Sequence, residues 1–266
     1  MVLFSYFANI SAGRLALLTV AVAATCTASV RDTDTGRFNA LEKWTHRADA
    51  LLKTVVVPPG LVSYDRAMTR KTELKQLVER VGRRWTFEND DQKLALHINA
   101  YNLIVIQSVI DHWPVTSVTD VQGFFKKMKH RVNGRSLTLN ELENEVIRPM
   151  GRPRIHAALV CAAVSCPPLR RGAFTADELE DQLERITRRW INDADKNTAR
   201  RGTLLLSAIF KWYREDFSAR PYRGVDDFVK RHANEGTAIA ELLSDDPSPK
   251  IRYLDYDWKL NAAPED

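Results

Sequence analysis

The sequence holds few of the short motifs that mark well-known catalytic sites. Its 266 residues include 3 cysteines and 6 histidines, which form neither a CxxC motif nor an H-x-x-x-H pair. It also lacks a glycine-rich phosphate loop and a dinucleotide-binding fingerprint, and Ser165 stands in no G-x-S-x-G context. We therefore predict no cofactor and no metal site of the usual ligand spacing. A metal site assembled by folding, from His97, His156, Cys161 and Glu143, stays open.

Concentrated positive charge is absent as well. The chain has 39 basic and 34 acidic side chains, which gives a formal net charge of +5. Its arginine pairs are spread among acids, with no basic block and no interleaved aromatic residues. Because nucleic-acid binding usually needs a concentrated basic face, we expect no nucleic-acid partner. A mildly cationic surface favours at most a weak association with anionic envelope surfaces.

The apolar run at the N-terminus is too short to span a membrane. It covers 15–24, follows Arg14 and is succeeded by small residues up to Ala28. This pattern predicts a signal peptide at 1–28, with export to the periplasm or the cell exterior; an uncleaved membrane anchor is the alternative. Cys161 and Cys166 stay in the mature chain at 29–266, where an oxidising compartment would allow a disulfide between them.

Hydrophobic periodicity predicts a helical protein with a few short strands. The predicted helices cover 37–53, 72–85, 90–113, 139–147, 176–191, 208–214, 225–231 and 238–243. The predicted strands cover 127–132, 135–137, 204–206 and 251–258. Apolar residues surround the helix at 90–113, so it should be central and buried. The fold class is therefore α+β, predominantly helical, a single domain with a small β-sheet or hairpin.

Polar side chains inside apolar segments mark the candidate site. Asn99 and Asn102 lie three residues apart on the predicted central helix, where buried amides must find partners. They either hold a neighbouring loop or orient a catalytic group. The apolar segment 153–169 carries His156 and both mature cysteines before it reaches Ser165-Cys166-Pro167-Pro168.

Thiol catalysis needs a thiolate and a base that generates it. Cys161 or Cys166 could be the nucleophile, and His156 or His97 the base. His156 and Cys161 diverge in a regular helix or strand, so they meet only if the chain turns between them. A disulfide likewise needs a looped 162–165 segment, and the sequence Ala-Ala-Val at 162–164 does not mark a turn.

Five sequence blocks together resemble a known family. They are HINAYN at 97–102, NGRSLTLNELENEVIR at 133–148, PRIHAALVCAAVSCPPL at 153–169, LLLSAIFKWYREDF at 204–217 and YLDYDWKLN at 253–261. In this order they are similar to the family called domain of unknown function 547, and the resemblance runs from about Tyr64 onward. It implies no established activity. One position departs from the family pattern, because His97 stands where the family usually has tryptophan.

We predict a cleft between the helix that carries HINAYN and the 154–169 segment. Cys161 would be the nucleophile of a thiol-dependent hydrolase or acyl transferase, and Glu143 and Arg148 a supporting pair. The candidate catalytic residues are Cys161, His156, His97, Asn99, Asn102, Glu143, Arg148 and Ser165. The alternative is a non-catalytic envelope binding module with structural cysteines, whose polar corner receives a peptide, glycan or lipid-derived ligand.

Overall fold

The computed structural model describes residues 32–264, so the predicted signal peptide at 1–28 lies outside the described residues. The helices are α1 (Asp32–Val55), α2 (Tyr64–Thr69), α3 (Lys71–Val81), α4 (Asp90–Asp111), α5 (Leu139–Glu141), α6 (Leu179–Ile191), α7 (Ile209–Trp212), α8 (Val225–His232) and α9 (Ala238–Asp245). The strands are β1 (Val56–Val57), β2 (Leu61–Val62), β3 (His130–Val132), β4 (Arg135–Leu137), β5 (Thr198–Arg200), β6 (Thr203–Leu206) and β7 (Lys250–Tyr253).

Helix α4 is the central element, as its uniform apolarity predicts. The Asn89 side chain accepts a hydrogen bond from the Gln92 amide at 2.9 Å and caps the helix. The helix ends at Asp111, before Pro114, which cannot continue it. By length and composition α4 could cross a membrane, but 89% of its most apolar window is buried in the protein. That burial is typical of a helix at the centre of a hydrophobic core.

The predicted hairpin is confirmed. Strands β3 and β4 pair antiparallel around Asn133 and Gly134, whose φ angles are 47° and 77°. Positive φ at both central residues is the geometry that Asn-Gly favours. Thr138 and Glu141 then form the predicted capping box at the start of α5. Helix α5 continues directly as a wider π-helical turn, Leu142–Ile147.

A three-stranded sheet brings the C-terminal end of the chain into the fold. Strand β6 pairs antiparallel with β5 and parallel with β7. The crossover between β6 and β7 contains α7, α8 and α9. The fold class is thus confirmed as α+β and predominantly helical. Beyond β7 the chain extends past the 162–165 loop and joins it through a bridge between Ala163 and Leu260.

One predicted helix start is wrong. The capping-box pattern of Thr175 and Glu178 predicts a helix from 176, but α6 begins at Leu179 and Glu178 makes no side-chain cap. Instead, the Gln182 side-chain oxygen accepts a hydrogen bond from the Thr175 amide at 3.0 Å. Because Gln182 lies four residues further along the chain than Glu178, residues 175–178 form a turn and α6 starts after them.

Candidate functional site

A cleft of about 390 Å³ opens where α4, the π-helical turn and two loops meet. It is lined by Tyr101, Phe125, Lys126, Asn140, Glu143, His156, Leu159, Cys161, Ile209, Trp212, Tyr213, Tyr256 and Trp258. Five of these side chains are aromatic rings of tryptophan or tyrosine, while a thiol, an imidazole and a carboxylate supply its chemistry. Mostly apolar walls with a few convergent polar groups are typical of ligand-binding clefts.

The loop at 161–166 turns sharply, which the sequence did not indicate. Ala162 adopts a left-handed conformation with φ of 62°, and the Cys166 amide donates to the Ala163 carbonyl at 3.0 Å. A left-handed alanine is costly unless its surroundings hold it. Here the Asn261 amide donates to the Ala162 carbonyl at 3.0 Å, and the Val164 amide donates across to the C-terminal segment at 2.7 Å.

That tertiary pairing places Tyr256 beside both cysteines. Its hydroxyl lies 3.2 Å from each sulfur, at hydrogen-bonding distance. Cys161 is half-buried and faces the cleft, whereas Cys166 is 3% exposed. Both are free thiols, so no disulfide joins them in the part of the chain that the structure describes.

The pKa values of the two thiols shift in opposite directions. The hydrogen bond to Cys166, together with burial, raises the pKa of Cys161 well above its ordinary value. Burial also opposes ionisation of Cys166, but hydrogen bonds from Cys161, Tyr256 and backbone amides lower its pKa overall. One of these amides is that of Cys161, which donates to the Cys166 sulfur at 3.1 Å. The pair therefore gives up one proton readily and retains the second.

His156 is held by an acid that the sequence did not single out. Its Nε2 lies 2.7 Å from Oδ2 of Asp216. Arg148 donates one hydrogen bond to each oxygen of the same carboxylate, both at 2.8 Å. Burial alone would raise the pKa of Asp216, but the bonds from Arg148 and His156 lower it. Ionised Asp216 can only accept, so Nε2 of His156 carries a proton. This leaves Nδ1 as the basic nitrogen of the neutral ring.

Aromatic stacking fixes the plane of this imidazole. His156 stacks on Tyr213 with ring centroids 4.2 Å apart and an angle of 27° between the planes. Phe217 contacts it at 5.2 Å, and the Arg148 guanidinium lies over the Tyr213 ring at 4.9 Å. A second carboxylate, Glu143, accepts hydrogen bonds from the tyrosines around it, including Tyr101 at 3.4 Å. Burial and then Glu143 raise the pKa of Tyr213, so the phenol stays protonated.

The outer wall of the cleft is made of exposed and half-buried rings. Trp212 and Trp258 lie nearly parallel, with centroids 6.0 Å apart, and Tyr256 contacts both. Trp212 is 48% exposed, unusual for so large an apolar side chain. These rings offer an aromatic, apolar surface next to Cys161.

Two of the predicted site residues hold the backbone of neighbouring loops rather than lining the cleft. The Asn102 side chain donates to the Ala158 carbonyl at 2.9 Å and accepts from the Val160 amide at 3.0 Å. Asn99 makes the equivalent pair of bonds with the backbone of Phe174, both at 2.8 Å. Buried amides have thus found partners in neighbouring loops. Through Asn102, α4 fixes the segment that leads from His156 to Cys161.

Two further candidates lie away from the cleft lining. His97 bonds its own helix, with Nδ1 2.6 Å from the Lys93 carbonyl, and its ring packs at 5.9 Å from Phe87. Burial lowers the pKa of His97 to about 4. The Ser165 hydroxyl accepts a hydrogen bond from the Asp257 amide at 2.8 Å. His97 therefore occupies a packing position, and Ser165 joins the loop to the C-terminal segment.

Glu143 and Arg148 contact different partners at the site. Arg148 forms an ion pair with Asp216 of another segment, while Glu143 accepts a hydrogen bond from Tyr101 of the cleft. Sequence reasoning missed Asp216, Tyr213 and Tyr256 as site residues. All three stand in the family-like blocks at 204–217 and 253–261, which was the signal that could have found them.

No group of three or more potential metal ligands occurs in the described range, residues 32–264. The open prediction of a folded metal site needs His97, His156, Cys161 and Glu143 to converge. His97 does not line the cleft that holds the other three. The cleft thus brings together His156, Cys161 and Glu143 without His97.

Comparison with family models identifies one match, over residues 86–191, to the family described as "Protein of unknown function, DUF547". No curated protein and no solved structure matches the chain. The matched segment contains α4, the hairpin, His156 and both cysteines, whereas the blocks at 204–217 and 253–261 lie beyond it. Over residues 86–191, this chain is similar to the DUF547 family of proteins of unknown function.

Proposed function

We propose that this protein is a thiol-dependent hydrolase or acyl transferase in which Cys161 is the nucleophile and His156 the base. One observation carries the proposal: Cys161 lines the same aromatic-walled cleft as His156, which bonds Asp216. A nucleophile, a base and an acid that orients the base are the parts that covalent acyl transfer uses on unrelated folds.

In the proposed reaction the Cys161 sulfur attacks the carbonyl carbon of an ester or amide, and Nδ1 of His156 takes the thiol proton. Asp216 stabilises the imidazolium, which returns the proton to the leaving group. Water or another acceptor then cleaves the thioester. The thiol pair keeps its shared proton mainly on Cys161, so the first step depends on His156 to remove that proton.

The shape of the cleft supports a substrate with an apolar or ring-shaped portion. Trp212, Tyr256 and Trp258 form one continuous aromatic wall beside the thiol. Such surfaces bind extended apolar groups or flat rings while polar groups fix their orientation. We propose a peptide, glycan or lipid-derived acyl donor, and an exported protein as the apolar run at 15–24 predicts.

A second candidate is a non-catalytic binding module. It is favoured by the hydrogen bonds of Cys161, whose sulfur contacts Tyr256 and Cys166 rather than an imidazole. In this case the aromatic wall would hold the ligand and the thiol pair would be structural.

Acetyl transfer from p-nitrophenyl acetate tests the two candidates. An enzyme should release a burst of nitrophenolate stoichiometric with protein, and mass spectrometry should find the acetyl group on Cys161. Cys161→Ala should abolish the burst, and His156→Ala should slow it by about 100-fold. His112→Ala is the matched control, since His112 is exposed and lies outside the cleft.

Far-UV circular dichroism of each variant separates lost chemistry from lost folding. Acetylation of Cys161 at equal rates in wild type and folded His156→Ala would reject His156 as the base. Absence of any burst in the folded wild-type protein would favour the binding module.

A further inference from the structure

The two cysteines occupy a loop whose geometry brings their sulfurs together. The left-handed turn at Ala162 reverses the chain, and the Cys161 amide donates directly to the Cys166 sulfur at 3.1 Å. One hydroxyl, that of Tyr256, lies 3.2 Å from both sulfurs. A regular helix or strand would hold residues five apart too far from each other for a bridge, and this loop removes that obstacle.

The pair is also asymmetric in its access to solvent. Cys161 lines the cleft, while Cys166 lies behind it and is only 3% exposed. A small reagent entering the cleft therefore meets Cys161 first. Cys166 is placed to attack whatever forms on Cys161, and the thiols already hydrogen-bond to each other.

We propose that Cys161 and Cys166 are a peroxide-reactive pair, in which hydrogen peroxide oxidises Cys161 and Cys166 converts the product into a reversible disulfide. In the first step the Cys161 sulfur attacks one peroxide oxygen. An S–O bond forms, the O–O bond breaks, and the departing hydroxide takes a proton to become water. Cys161 is then a sulfenic acid.

In the second step the Cys166 sulfur attacks the Cys161 sulfur. The S–S bond forms, the S–O bond breaks, and hydroxide leaves as water with the proton of the second thiol. Overall two thiols are oxidised to one disulfide, and one hydrogen peroxide is reduced to two water molecules. A dithiol reductant reverses the reaction by exchange.

The shared proton explains why both steps are accessible. The favoured state ionises Cys166 and leaves the proton on Cys161, so the attack on peroxide uses the less populated state in which the proton lies on Cys166 and Cys161 is the thiolate. Afterwards the hydrogen bonds of Tyr256 and the backbone favour ionised Cys166, which is the form that resolves a sulfenic acid. This inference goes beyond the proposed acyl transfer, because the covalent state of the two sulfurs can be measured without any substrate.

The test treats the folded full-length chain with hydrogen peroxide at pH 7 and follows thiols by peptide mass spectrometry, which separates this pair from Cys26. We expect Cys161 and Cys166 to lose their thiols together, with a loss of two hydrogen atoms and recovery by dithiothreitol. The same chain unfolded in guanidinium should form the bond between Cys161 and Cys166 more slowly, since the loop and Tyr256 no longer hold the two sulfurs together.

Two variants and a trapping reagent assign the roles. In Cys166→Ser, dimedone should trap the sulfenic acid on Cys161, whereas in the wild type the disulfide should form before trapping. In Cys161→Ser, Cys166 should stay reduced because it is buried. Equal dimedone trapping of Cys161 in wild type and Cys166→Ser, or no disulfide in the folded wild type, would overturn the proposal. The wild-type measurement stands even where a variant fails to fold.

Discussion

Replacing Asp216 with asparagine removes the charge that links Arg148 to His156 while almost preserving the shape of the side chain. The carboxylate accepts two hydrogen bonds from Arg148, both at 2.8 Å, and one from His156 at 2.7 Å. An asparagine offers one acceptor oxygen, and its amide group would face a guanidinium that only donates. The substitution therefore weakens the ion pair and frees the imidazole from its fixed tautomer.

The expected cost can be set by counting these bonds. Hydrogen bonds to charged groups contribute about 1.5–3 kcal/mol each, and water screens part of this because the side chains of Arg148 and Asp216 are 26% and 21% exposed. We expect Asp216→Asn to lower the free energy of unfolding by about 3 kcal/mol at neutral pH. Since the folded state lowers the pKa of Asp216, this contribution is full above about pH 4, the ordinary pKa of aspartate, and is lost progressively as pH falls further.

Urea unfolding followed by circular dichroism measures this difference at pH 7 and at acidic pH. Asp111→Asn is the matched control, because Asp111 pairs with Lys71 at 2.8 Å on the surface, with side chains 39% and 51% exposed. The control should cost less than about 1 kcal/mol. The reasoning is refuted if Asp216→Asn costs no more than the control at pH 7, or if its cost is unchanged in acid.

Three further predictions concern positions away from the thiol. The unfolding free energy of the wild type should fall by about 3 kcal/mol between pH 6.5 and pH 4, because the unfolded histidine binds a proton that the buried His97 ring, with its pKa of about 4, does not. His97→Gln should lack this fall, and equal pH profiles of the two proteins would contradict the prediction. Asn102→Ala should cost about 2–4 kcal/mol in thermal or urea unfolding, since it leaves two buried backbone groups unpaired, and a loss below about 1 kcal/mol would be the contrary result. Asn133→Ala should lower the free energy of unfolding, measured in urea, by about 2 kcal/mol, because alanine is strained at a φ of 47° and the hydrogen bond from the Trp85 amide at 2.8 Å is lost. Asn133→Gly should lose only that hydrogen bond, because glycine adopts positive φ without strain.

The local elements could be predicted because the signals that set them are short in range. The uniform apolarity of 94–106 made α4 a buried helix, and Asn89 and Pro114 bounded it. Asn133-Gly134 specified the hairpin, and Thr138 with Glu141 specified the start of α5. The prediction failed at the start of α6, where two side chains could accept a hydrogen bond from the Thr175 amide. Gln182 accepts it instead of Glu178.

Part of the candidate site was also accessible from the sequence. Polar residues embedded in apolar segments pointed to Cys161, His156, Asn102 and Glu143. The sequence showed which chemical groups these residues carry. It did not show which of them line the cleft and which hold the neighbouring backbone. Asn102 could equally have faced the cleft or the loop, since both satisfy a buried amide.

The partners of these groups were decided by tertiary structure. Asp216 reaches His156 across 60 residues, and Tyr256 reaches Cys161 across 95. The turn at Ala162 has no local sequence signal, because a left-handed alanine is stable only where a distant segment of the chain holds it. The sequence by itself thus determined which segments are helical and which residue types could react. Long-range packing alone decided which of them meet, because proximity across such separations depends on the whole core and not on neighbouring residues.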